Sequence, residues 1–133
     1  MTVAEEIILL KERFKLHIDD DMISFLCNEK NTNIKNIPIV IDGEEYIVGS
    51  FIKTDEEMSG SDLYKRYIMC PYETAEYLAF ACGYDNDEFS IKAKGDDIGG
   101  IYHVDSPDEE NIRIKKIFNT FCDFEQFIKR EVK

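Results

Sequence analysis

"EYLAFACGYDNDEFSIKAKGDDIGGIYHVD" (residues 76–105) holds three strand-like runs, "EYLAFAC", "EFSIKAK" and "GIYHVD", cut by two turn-rich stretches, "GYDND" and "GDDIGG". Gly95, Gly99 and Gly100 permit the left-handed angles or bulge that such turns demand. Short turns return the chain beside itself, so the three runs read as an antiparallel meander, and "IRIKKIF" (112–118) supplies a further strand. Upstream, "IPIVIDGEEYIVGSFIK" (37–53) is rich in β-branched and aromatic residues around Asp42-Gly43. Both central residues of a type I′ turn need positive φ, which makes Asp-Gly a strong hairpin signal. Pro38 suits the start of an edge strand, where no ladder donor is lost.

Helical spacing appears on both sides of these strands. Val3, Ile7, Leu10 and Phe14 recur on one face with charged residues between them, predicting an amphipathic helix. A second helix opens at "IDDDMISFL" (18–26), where Asp19 or Asp20 caps the free amides and Met22, Ile23, Phe25 and Leu26 form the buried stripe. "CNEKNTN" (27–33) ends that periodicity. "TDEEMSGSD" (54–62) reads as a loop, and "LYKRYIM" (63–69) as a short helix with Leu63, Tyr64, Tyr67 and Ile68 on one face. Near the end, Asp123 and Gln126 resemble a capping box opening "FEQFIKREV" (124–132), with Phe124, Phe127 and Ile128 facing inward. The expected class is α+β: a single antiparallel sheet flanked by N-terminal helices and a C-terminal helix, in one domain spanning residues 1–133.

Sixteen basic residues stand against 28 acidic ones, a formal charge of −12, so the summed field repels phosphate backbones and anionic lipid headgroups. Direct binding to nucleic acid or a membrane is therefore not expected, whereas a basic protein surface is attracted. The four cysteines lack CxxC spacing and read as free thiols; Cys27, Cys70 and Cys82 end apolar runs, as small hydrophobes in a reducing cytoplasm would. The N-terminus has neither the basic start nor the apolar core of an export signal, and no apolar stretch approaches the roughly 20 residues that span a bilayer.

The carboxylate clusters raise three possibilities. A hard cation needs several oxygens converging within a few ångströms. Asp87 and Asp96 lie at opposite ends of "FSIKAK", on the order of 20 to 30 Å apart at roughly 3.3 Å per residue, and share no ion. "GDDIGG" lacks the lysine and hydroxyl of a phosphate-binding loop. What remains is a pair of solvated turns or an acidic surface facing a protein. The candidate partner-binding residues are Asp55, Glu56, Glu57, Asp85, Asp87, Glu88, Asp96 and Asp97, with Tyr84 as an aromatic anchor or, equally, a turn residue packed on the sheet edge. "SPDEE" (106–110) adds further acid. His17 and His103 stand in no catalytic motif, and His103, on the strand face of Ile101, reads as structural. Neither a catalytic residue, a metal site nor a cofactor is assigned.

The order of these segments resembles the Smi/Knr-like (SUKH) superfamily over nearly the whole chain. "FKLHIDDDMISFLCNEKN" stands where that family has its Leu-Pro, acidic, Phe-Leu and Asn-Gly segment, with Phe25-Leu26 as the paired apolar residues. "YIVGSFI" is similar to its glycine-bearing strand, residues 76–105 to its apolar strand, acidic glycine turn and closing strand, and "CDFEQFI" to its final helix opening. His17-Ile18 replaces Leu-Pro, "NEKN" lacks Asn-Gly, and Ile101 stands for Val before Tyr102. The resemblance implies a non-enzymatic, cytoplasmic bacterial immunity protein that covers a cognate toxin, for which a basic nuclease is a suitable target. A regulatory or scaffolding module of the same fold, and a metal-assisted hydrolase using the loop carboxylates, are the alternatives.

Overall fold

A computed structural model describes residues 3–52, 76–84, 87–105 and 112–131. Three helices, α1 (Val3–Phe14), α2 (Asp20–Leu26) and α3 (Glu29–Thr32), precede a hairpin of β1 (Ile37–Ile41) and β2 (Glu44–Val48). Then come β3 (Ser50–Phe51), β4 (Tyr77–Cys82), β5 (Asp87–Lys92), β6 (Ile101–Asp105), β7 (Arg113–Phe118) and a closing helix, α4 (Phe121–Glu131). Strands β3 to β7 form a five-stranded antiparallel sheet in chain order, and among the described residues β1 pairs only with β2. The class is α+β, and the meander read from residues 76–105 is the centre of the larger sheet.

Instead of one sheet the described residues form two, because the chain changes partners at Gly49. Val48 closes the ladder with Ile37, the Gly49 amide donates to the Cys82 carbonyl at 2.8 Å, and Ser50 then pairs with Cys82. A Cβ on Gly49 would stand 3.2 Å from that carbonyl oxygen, a tight contact that the absence of a side chain avoids at the crossing. The hairpin itself follows the expected turn: Asp42 and Gly43 both have positive φ, 52° and 82°, and Ile41 pairs with Glu44.

Asp19 is the cap of α2, accepting from the Asp21 amide at 2.7 Å, and Met22, Phe25 and Leu26 are buried. The polar run after it is not merely a stop. Asn28 accepts from the Lys30 amide and starts the short α3. Helix α4 begins earlier than "FEQFIKREV": Thr120 Oγ1 accepts from the Asp123 amide at 3.1 Å, so Thr120 is the cap and Asp123 lies three residues inside. The shift brings Phe121 into the helix, where it is as fully buried as Phe124 and Ile128, while Phe127 packs partly buried beside them.

Phe25, Phe51, Phe80, Phe121 and Phe124 make the centre of the core, their rings meeting tilted or edge to face at 5.1 to 6.3 Å. Leu78, Phe89, Ile91 and Ile101 extend it along one face of the sheet. Cys27 is exposed, so the small-hydrophobe reading fails for it; Cys82 is partly buried against the core. The helix read at 63–69, with Cys70, lies outside the described residues.

Candidate functional site: an acidic cleft at one end of the sheet

The β5–β6 ladder decides which polar groups meet. Asp87 pairs with Asp105, Phe89 with His103 and Ile91 with Ile101, so these six residues share the core-facing side. Toward Ile101 this side is apolar; at its other end it becomes polar. Asp87 Oδ2 lies 2.6 Å from His103 Nε2, both side chains largely buried. The His103 ring is packed between Tyr46 of the hairpin (centroids 4.8 Å apart) and Phe89 (5.2 Å). The hairpin thus packs on β6 through Tyr46.

A second polar chain ties the hairpin in place. Tyr46 donates its hydroxyl to Glu44 at 2.6 Å, and Lys115 Nζ on β7 lies 3.0 Å from the same carboxylate. The Tyr46 bond, followed by Lys115, holds Glu44 below the usual carboxylate range, and Glu44 in turn raises Lys115. Tyr46 is raised first by burial and then by its bond to Glu44.

Between these elements opens a cleft of about 360 Å³, lined by Glu45, Tyr46, Ile47, Tyr84, Asp87, His103 and Asp105. Two glycines shape its rim. The Gly83 amide donates to the Asp87 carbonyl at 2.9 Å, closing the β4–β5 connection, and the Asp87 carboxylate fills the space where a Gly83 side chain would stand. A Cβ on Gly49 would meet the Tyr84 ring at 3.4 Å, so Tyr84 lies along the crossing strand with 61% of its surface exposed. Glu45 and Asp105 have no ion-pair or hydrogen-bond partner for their carboxylates among the described residues.

Of the candidates named from sequence, Tyr84 and Asp87 come together here, and the other described ones, Glu88, Asp96 and Asp97, do not join them. Glu88 points to the opposite side of the sheet and is only 7% exposed. Asp96 and Asp97 sit beyond the far end of β5, as the count along "FSIKAK" required. Asp97, at φ 61° between Gly95 and Gly99 at 81° and 97°, accepts from the Tyr102 hydroxyl and pairs with Lys116 at 2.9 Å. Tyr102, then Lys116, lower its carboxyl from the usual range, and Tyr102 is raised by burial and by Asp97. Asp97 is therefore a tie across β6 and β7. Asp55, Glu56, Glu57 and Asp85 lie outside the described residues, as does "SPDEE".

Glu45, Tyr46, His103 and Asp105 were not among the candidates. Period-two alternation puts His103 and Asp105 on one strand face, but only the β5–β6 register sets Asp87 beside them. Nothing in the sequence brings the hairpin across. Among the described residues no three His, Cys, Asp or Glu side chains converge to hold a metal ion, and no helix is long and apolar enough to cross a membrane. No family model matches the chain, and no curated protein or solved structure matches it.

Proposed function

We propose that this protein is a binding module for a basic protein and that its partner is a cognate toxin which it neutralises by occupying the toxin's active face. The observation that carries the reading is the cleft: an exposed Tyr84 beside two carboxylates, Glu45 and Asp105, that are unpaired among the described residues, in a chain of net charge −12. A concave, preformed surface with an aromatic side chain at its lip is the form that interface anchors take. The charge steers a cationic partner toward it. The toxin role rests on the SUKH resemblance of the segment order, and a nuclease, whose own cleft accepts polyanions, is the target class that such a surface fits.

The test is affinity capture from the native cells with tagged protein, followed by expression of each retained protein alone and together with this one. A basic protein that arrests growth alone and not in combination is the expected result. Capture of a partner whose expression is harmless refutes the toxin role and leaves a regulatory module.

A second reading has one observation behind it, the Asp87–His103 pair, since a carboxylate-held imidazole serves as a general base in hydrolases. Among the described residues no serine, threonine or cysteine lines the cleft, and the ring is packed on Tyr46 and Phe89. A metal-assisted version requires native-state ion binding, so a melting temperature unmoved by millimolar calcium, magnesium, manganese or zinc removes it.

A further inference from the structure

We infer that the cleft between Tyr84, Glu45 and Asp105 receives an arginine side chain of the partner. The inference rests on the reading that this face binds a basic protein, and it specifies what that protein must present.

The argument starts from charge. Glu44, Glu45, Asp87 and Asp105 border the cleft or its wall, and two basic side chains near them are already placed: Lys115 is paired with Glu44, and His103 lies against Asp87. Arg113 stands opposite Asp105 in the β6–β7 register, yet it forms no ion pair with it. Glu45 and Asp105 come from different sheets, and both line the cleft. An anion is repelled by this arrangement. Among the described residues a bare metal ion lacks the converging ligands.

Shape and surface then favour guanidinium over ammonium. The cleft has aromatic surface in the exposed Tyr84, and a planar guanidinium stacks on such a ring while its edge keeps several donors free for carboxylates. An ammonium group is a compact, strongly hydrated point charge that gains less from a flat aromatic wall. A space of about 360 Å³, open to solvent at the exposed Tyr84, suits one long side chain entering from a docked surface.

The experiment titrates the intact protein with N-acetyl-arginine-N-methylamide and follows backbone amide shifts by NMR. The matching lysine and citrulline amides serve as comparisons, citrulline keeping the shape without the charge. The expected result is saturable shifts at Tyr84, Glu45, His103 and Asp105, weaker binding of the lysine probe and none of citrulline. Glu45→Gln with Asp105→Asn should weaken the arginine probe at least about tenfold, as loss of two charge-assisted contacts implies. Tyr84→Ala, which leaves the charge intact, should weaken it as well, and Glu12→Gln on the exposed side of α1 should not. Equal binding of citrulline, shifts that spread without saturating, or an unchanged affinity in the double variant overturns the inference. The outcomes separate from those above. A toxin whose affinity ignores these substitutions overturns the arginine site alone, and saturable arginine binding without any toxin overturns the toxin role alone.

Discussion

Asp87 and His103 are diagonal neighbours on the β5–β6 ladder, and the Asp87 carboxylate holds His103 Nε2 at 2.6 Å where the core gives way to the cleft. The pair does structural work before any partner arrives. It fixes the ring on which Tyr46, and with it the hairpin, is packed. Asp87→Ala leaves that largely buried ring without its acceptor, and the expected cost is about 1 to 3 kcal/mol in urea unfolding. A loss well below that range would mean that the hairpin holds its place without the pair.

Gly83→Ala attacks the same carboxylate from the backbone. The new methyl group occupies the position of the Asp87 carboxylate, so either Asp87 turns away or β4 and β5 part. The expected destabilisation is about 1 to 3 kcal/mol, with the His103 ring resonances shifted. Gly43→Ala is the contrast: there the space is open and only the left-handed φ of 82° opposes the side chain, at about 1 kcal/mol. Wild-type His103 resonances in Gly83→Ala would refute the placement of Asp87.

The aromatic centre should be the most sensitive part of the fold. Phe121 is fully buried and meets Phe25, Phe80 and Phe124 at 5.4 to 5.5 Å. Phe121→Ala is expected to lose about 3 to 5 kcal/mol or to fail to fold. Phe121→Leu, which keeps most of the volume, should fold with a smaller loss. Equal stability of the alanine variant and wild type would contradict the burial of this ring.

Tyr102 and Asp97 give a pH dependence of definite sign. Asp97, lowered in the fold from an ordinary 3.8, contributes stability above that value and loses it as pH falls through its folded value. Tyr102, raised above an ordinary 10.0, contributes below that value and loses it as pH rises through its folded value. Tyr102→Phe should therefore be less stable than wild type at neutral pH, with the gap narrowing below about pH 4 and above about pH 10. Melting curves across that range check it, and a gap independent of pH would show that the hydroxyl and carboxylate are not coupled.

Where local chemistry decides a feature, the residues announced it. Asp42-Gly43 dictates a turn of positive φ, Asp19 caps α2, and the strand-like runs cut by turn-rich stretches in residues 76–105 yield three adjacent antiparallel strands. Long-range pairing decides the rest. The chain changes sheets at Gly49 because a carbonyl some thirty residues away comes within reach, which no local pattern encodes. Thr120 outcompetes Asp123 as a cap because starting the helix early buries Phe121. The acidic loops looked equivalent as sequence; the ladder register separated them, making Asp97 a tie, burying Glu88 and leaving Tyr84 and Asp87 beside Asp105 and Glu45.

The central claim, that the cleft is the surface which grips a basic protein, is tested most directly by parallel capture from native cells with wild-type protein and the Glu45→Gln, Asp105→Asn variant, at low and raised salt. The expected result is one basic protein retained by the wild type, released as salt screens the charges, and retained by the variant roughly tenfold less at low salt. Equal retention by both proteins, or retention indifferent to salt, would contradict it.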